Sequence, residues 1–204
     1  MHIYLVRHGQ SMGNATNDYS TAQHDQLSPT GWKQAHSLIE RLADQVFDAM
    51  YVSPLQRAIE TISPLAEARQ AKIEVWPELA ECCWQQEKTP PDREAGWRAA
   101  PCHDIERFDP TFFFFREGRP LMPAEPETYA EGLNRVYAAA ELLRKRHGGG
   151  TERVLMVSHG FFLAQFIELL MGHEPQRRID HANTGISLLV EKDGLFTIKY
   201  INRC

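Results

Sequence analysis

The chain has 204 residues, 43% of them hydrophobic and 24% charged. That length fits one domain with an insertion as well as two domains of about 150 residues, and it buries about 70% of its unfolded surface, enough for a core without staples. An aromatic share of 10% excludes a disordered chain. The net charge of −5 excludes a whole-chain field that draws in nucleic acid or an anionic membrane, so any bound anion is caught by a local positive cluster.

Four cysteines, Cys82, Cys83, Cys102 and Cys204, show neither metal-ligand spacing nor a Cys-x-x-Cys pair. They read as free thiols in a reducing compartment. The opening Met1-His2-Ile3-Tyr4-Leu5-Val6-Arg7 has no leader pattern, and no stretch approaches the ~18 apolar residues of a membrane span. The expectation is a soluble, cytoplasmic protein.

His2 to Val6 is β-prone and stops at Arg7-His8-Gly9, which predicts a buried strand opening into a loop. The loop is polar through Asn14, Asn17, Asp18 and Ser20, up to Ser28-Pro29-Thr30-Gly31. Ala35, Leu38, Ile39, Leu42 and Val46 then recur at helical spacing. A short strand over Ala49–Val52 ends at Ser53-Pro54, Leu55–Arg69 reads as a helix, and Lys72–Trp76 alternates as a strand. From Cys82 to about Pro126 regularity fails among scattered prolines, which predicts an insertion or lid within a single domain spanning residues 1–204.

Leu133, Val136, Tyr137, Ala140 and Leu143 mark a helix that stops at Gly148-Gly149-Gly150. Its last turns carry Arg144, Lys145, Arg146 and His147, which suit the negative end of a helix dipole. Val154–Val157 is an apolar strand meeting Ser158-His159-Gly160, followed by an apolar helix through Leu170. Ile186–Val190 and Phe196–Ile201 form a hairpin across Asp193-Gly194. Six strands alternating with helices predict an α/β fold, its sheet mostly parallel with one antiparallel strand.

Two histidines share one structural place: His8 follows the first predicted strand and His159 the fourth. Ligands of open α/β sheets bind at the carboxyl ends of the strands. Arg7 precedes His8, Arg57 lies just past Ser53-Pro54, and Glu81 follows the strand ending at Trp76. Two histidines, two arginines and a carboxylate therefore converge from four strand ends.

Four segments carry a resemblance. Leu5-Val6-Arg7-His8-Gly9-Gln10-Ser11 with Asn14, Ser53-Pro54-Leu55-Gln56-Arg57-Ala58 with Thr61, Glu78-Leu79-Ala80-Glu81, and Val157-Ser158-His159-Gly160 stand in order along the chain. Together they resemble the motifs of the histidine phosphatases, the phosphoglycerate-mutase-like superfamily, in the branch with the Arg-His-Gly motif. Leu27-Ser28 with Gly31, and Asn183-Thr184, also sit where such proteins have them. The resemblance covers the chain apart from the insertion, and it implies a three-layer α/β/α sandwich.

The resemblance implies phosphoryl transfer through a phosphohistidine, with no metal and no other cofactor. His8 is then the nucleophile, kept neutral by the positive field around it. Arg7 and Arg57 hold the phosphoryl oxygens with planar forks. A protonated His159 adds a third donor, the Gly160 amide at a helix N-terminus a fourth, and Asn14 a neutral one. Glu81 protonates the leaving oxygen and then activates water. Glu78 is the competing carboxylate.

Departures from the family pattern separate the activities. Phosphoglycerate mutases usually follow the glutamate with Arg-His-Tyr-Gly, whereas this chain reads Cys82-Cys83-Trp84-Gln85. It is also shorter than most such mutases, and both facts favour a phosphatase acting on a small phosphorylated metabolite. Mutase-type transfer is the alternative, followed by a non-catalytic phosphate-binding module; a metallohydrolase fits least, since two clamp arginines repel a cation. Gln10 stands where many relatives carry an acid. The expected partner is the substrate alone, without nucleic acid or membrane, and a dimer is the expected state if the chain assembles. Phe112–Phe115 is expected in the core or at a dimer surface, and the insertion's Arg93, Arg98, Arg107, Arg116 and Arg119 as a solvated or substrate-closing set. His24, His103 and His181 are expected at the surface.

Overall fold

The computed structural model describes residues 1–21, 23–84, 94–96, 109–115 and 126–204. Its centre is a seven-stranded sheet built from β1 (His2–Arg7), β2 (Ala49–Val52), β3 (Ile73–Val75), β4 (Phe113–Phe115), β5 (Arg153–Ser158), β6 (Ile186–Lys192) and β7 (Leu195–Arg203). The strand order is β4-β3-β2-β5-β1-β6-β7. Strands β1 to β5 pair in parallel, and β6 runs antiparallel to both β1 and β7.

The central strands are apolar throughout because both faces are covered. Ile3, Leu5, Tyr51, Val154, Met156 and Leu189 face one core with α4 (Tyr129–His147) and α5 (Gly160–Leu170). Tyr4, Val6, Met50, Val52, Leu155 and Val157 face the other with α2 (Pro29–Arg41) and α3 (Gln56–Arg69). This is the expected three-layer α/β/α arrangement. Among the described residues no helix is long and apolar enough to cross a membrane.

Three expectations are corrected. The sheet has seven strands rather than six, since Phe113–Phe115 pairs with β3 as an edge strand. Phe113 is buried in the core and Phe114 is 45% exposed, the alternation a strand imposes and composition hid. The first loop contains a one-turn helix, α1 (Met12–Thr16), closed by a reciprocal Ser11–Asn14 cap. The next helix stops at Arg41, so Val46, expected on its apolar face, lies beyond its end and is 76% exposed. The insertion arginines, His103 and Cys102 lie outside the described residues.

Candidate active site

Register builds the site. β1 and β5 pair in parallel with Arg7 opposite Ser158, so the residues that follow, His8 and His159, leave the sheet side by side. The His8 amide continues the ladder to the Ser158 carbonyl at 2.9 Å, and the two imidazole centroids are 5.1 Å apart. β2 ends next to β5, where the Ser53 amide bonds to the Val157 carbonyl at 3.0 Å. Beyond β3, the 3₁₀ turn Pro77–Leu79 carries the chain to Glu81.

The two arginines reach His8 from opposite faces of the sheet. Arg7 continues the Ile3–Leu5 face towards α5, and a Cβ on Gly160 would stand 3.4 Å from its Nε. Its guanidinium bonds to the His181 carbonyl, while its Nε is buried with no partner among the described residues. Arg57 comes from the first turn of α3 on the other face, and its Nε donates to His8 Nε2 at 3.1 Å. It is ion-paired to buried Asp25, whose other oxygen accepts from the Gln56 amide at 2.8 Å.

These contacts fix the state of His8. Its Nδ1 lies 2.7 Å from the Gly9 carbonyl, an acceptor only, so Nδ1 carries the proton. Nε2 accepts from Arg57 and therefore holds a lone pair. Burial, then the charges of Arg57 and Arg7, push the His8 pKa well below its ordinary 6.5. The loop that carries it is tight: a Cβ on Gly9 would stand 2.9 Å from the Gly31 carbonyl oxygen, and the Gly9 amide donates to Thr61 Oγ1 at 2.8 Å.

His159 departs from expectation. Burial, followed by the charges of Arg57, His8 and Arg7, drives its pKa well below 6.5, so it is neutral rather than protonated. Ser53 Oγ sits 2.6 Å from its Nε2 and also accepts the Leu55 amide at 3.3 Å. In the tautomer that accepts the serine proton at Nε2, the imidazole proton lies on Nδ1, which is buried and has no partner among the described residues. In that form a neutral His159 still presents a donor.

Glu81 is buried, and its Oε1 accepts the amides of Phe162 at 3.0 Å and Cys82 at 3.2 Å. Burial raises its pKa above 4.5 against the opposing pull of Arg57, those two amides and Arg7. Arg7 in turn feels Glu81 as the strongest charge acting on it. Glu81 is thus coupled by charge to both arginines of the cluster. Asn14 belongs to the rim: its Nδ2 donates to Tyr19 Oη at 3.1 Å, and its Oδ1 accepts from Asn183 Nδ2 at 3.3 Å.

Residues the sequence did not flag complete the site. Asp25 orients Arg57, yet in sequence it is one acid among turn formers. Arg135 donates to the carbonyls of Glu78, Ala80 and Glu81 at 3.1, 2.6 and 3.1 Å, and to Glu127 Oε1 at 2.7 Å, pinning the segment that carries Glu81. It sits in a helical pattern read only for its apolar positions. Gln10 turns away, accepting from Ser28 Oγ at 2.7 Å, so its role is to hold the loop. His181, expected at the surface, is buried, and burial and Arg7 lower its pKa to about 4.

The model of the histidine phosphatase superfamily (branch 1) matches residues 3–203. The chain belongs to that superfamily. It is an enzyme of the histidine phosphatase type, with relatives of more than one activity. Phosphoserine phosphatase 1 of Hydrogenobacter thermophilus is 31% identical, over 77% of this chain and 70% of that protein. A protein of Yersinia enterocolitica named probable phosphoglycerate mutase GpmB is 28% identical, over 92% of this chain and 83% of its own. The crystal structure of the α-ribazole phosphatase from Shigella flexneri superposes with a TM-score of 0.71 at 24% identity, covering 99% and 96% of the two chains. That likeness shows the fold.

Proposed function

We propose that the protein is a metal-independent phosphomonoester hydrolase acting on a small phosphorylated metabolite through a phosphohistidine on His8. One observation carries this reading: His8 holds its proton on Nδ1 against the Gly9 carbonyl and offers the lone pair of Nε2 beside Arg57, with the charge of Arg7 also acting on the ring.

His8 Nε2 attacks phosphorus, and the phosphorus–oxygen bond to the leaving group breaks. Arg57 transfers its Nε–H from His8 to a phosphoryl oxygen, and Arg7 Nε and His159 Nδ1 donate to others, with Asn14 and the Gly160 amide at the rim. Because phosphoryl transfer relies on positioning and charge neutralisation, these donors supply most of the rate. Glu81, kept protonated by burial, gives its proton to the leaving oxygen. Its Oε1 is held by two amides, so the proton sits on Oε2. The resulting carboxylate takes a proton from water, whose oxygen attacks the phosphohistidine, releases phosphate and frees Nε2.

The test is phosphate release in EDTA from p-nitrophenyl phosphate, sugar phosphates, phosphoglycerates, phosphoamino acids and nucleotides, with wild type beside His8→Ala. We expect release by wild type and none by the variant. Isomerised phosphoglycerate without free phosphate would favour mutase-type transfer, and no reaction at all would favour a phosphate-binding module.

A further inference from the structure

The carbonyl that fixes the proton of His8 belongs to a peptide unit whose other end is also bound. That unit, between Gly9 and Gln10, accepts His8 Nδ1–H on the Gly9 carbonyl at 2.7 Å. Its N–H, on Gln10, donates to Gln34 Oε1 at 2.8 Å. The neighbouring backbone groups are taken elsewhere, the Gly9 amide by Thr61 Oγ1 at 2.8 Å and the Gln10 carbonyl by the Ser28 amide at 2.9 Å. Gln34 is thus the acceptor on the same amide plane as the carbonyl that faces His8.

Helix α2 is built to deliver that acceptor. Ser28 caps it, accepting the Gly31 amide at 3.1 Å, while its hydroxyl donates to Gln10 Oε1. Gly31 lies so close to the loop that a Cβ there would stand 2.1 Å from the Gln10 carbonyl oxygen. Gln34 is three residues further on, on the same helix face and half-buried.

An amide is polarised through its resonance, so an acceptor at the N–H puts more negative charge on the carbonyl oxygen, and bonds in a chain strengthen one another. A stronger acceptor at Nδ1–H makes Nε2 more basic, as the partners behind metal-bound histidines do. In this site the bond to Gly9 raises the His8 pKa against burial, Arg57 and Arg7, which lower it.

We propose that Gln34 is a positioning residue for the reaction, the far end of a relay that runs from its Oε1 through the Gly9–Gln10 peptide to His8 and sets the nucleophilicity of Nε2. The inference rests on the hydrolase reading above and deepens it. In the first half-reaction the Nε2 lone pair bonds to phosphorus, and the leaving oxygen departs with its bond pair and the Glu81 proton. In the second, the oxygen of water bonds to phosphorus, the nitrogen–phosphorus pair returns to Nε2, and the water proton goes to Glu81. A more basic Nε2 speeds the first step and slows the second.

Two substitutions push the relay in opposite directions. Gln34→Met keeps the side chain's length and removes the acceptor. Gln34→Glu keeps the acceptor and adds charge, and charged acceptors make the stronger bonds. Rapid quench with radiolabelled substrate reads both half-reactions. We expect phosphorylation of His8 to slow about tenfold in Gln34→Met, the cost typical of losing a partner behind a metal-bound histidine, and dephosphorylation to quicken. Gln34→Glu should do the reverse and raise the fraction of enzyme that carries label. Slowing of both steps in Gln34→Met without reversal in Gln34→Glu would mark a loop anchor and overturn the proposal, as would unchanged rates in both variants. The resting enzyme supplies a readout free of turnover, the proton resonance of His8 Nδ1–H in protein labelled on its histidine ring nitrogens, identified by its loss in His8→Ala. It should move upfield in Gln34→Met and downfield in Gln34→Glu. Label on wild-type His8 with a resonance fixed in both variants would sink the relay alone. Both shifts with no label on wild-type His8 would sink the hydrolase reading, and the inference with it.

Discussion

At the scale of single residues, the site is a set of protonation states fixed by neighbours. His8 is neutral at any pH near neutrality because burial, Arg57 and Arg7 all disfavour its cation. Glu81 stays protonated above the ordinary carboxylate range because burial outweighs the cations beside it. For esters with poor leaving groups, kcat/KM should therefore fall as pH rises through the raised Glu81 pKa, while p-nitrophenyl phosphate shows no such fall. Glu81→Gln should remove that limb and slow poor leaving groups far more than activated ones, and equal slowing of both would exclude the acid role. Asp25 acts one step back, by aiming Arg57. Asp25→Asn keeps an acceptor for the Gln56 amide but loses the charge, and a misplaced donor costs up to about a hundredfold. We expect kcat/KM to fall about tenfold to a hundredfold in a steady-state assay, with the far-ultraviolet circular dichroism unchanged.

At the scale of elements, helix N-termini organise both carboxylates. Neither α3 nor α5 has a side-chain cap at its N-cap residue. Instead the first-turn amides of Gln56 and Phe162 donate to Asp25 and Glu81, carboxylates brought in from other segments. The orphan amides of a helix start thus anchor one group that aims an arginine and one that carries a proton. Arg135 does the same for the 78–81 segment from α4, where three carbonyls and Glu127 hold its guanidinium. Arg135→Met keeps the apolar stem and removes the clamp. We expect it to lower kcat for a poor leaving group about tenfold more than for p-nitrophenyl phosphate, because only the former depends on Glu81; an equal loss would mark Arg135 as a stability residue alone.

At the scale of the whole molecule, the sheet places catalytic groups where its parallel strands end, and it does so by burying histidines. His8, His159 and His181 all have pKa values held below 6.5, the last at about 4. Below pH 6.5 the unfolded chain takes up protons on these groups that the folded chain refuses, so folding stability is lost as pH falls. Each such group costs about 1.4 kcal/mol per pH unit in that window. We expect the thermal unfolding midpoint to drop between pH 7 and pH 5.5, and to drop less steeply in His181→Asn, as read by calorimetry.

The sequence made much of this legible, since a strand that ends in Arg-His-Gly or Ser-His-Gly announces both its burial and its place in the sheet. It could not show Asp25, because an acid in a turn-rich loop looks the same whether solvated or paired with Arg57. Nor could it show that His159 is neutral or that His181 is buried, since both depend on contacts made across the fold. The Phe113–Phe115 strand was hidden because three apolar residues carry no period.

The central claim is that a phosphoryl group passes through His8. The most direct measurement mixes the enzyme with a substrate carrying radiolabelled phosphate, quenches in alkali within the first turnover, and maps the label after proteolysis. We expect label on the peptide containing His8, lost in acid, stable in alkali, and missing from His8→Ala. Turnover by the wild type with no label at His8, or label persisting in His8→Ala, would contradict the phosphohistidine mechanism.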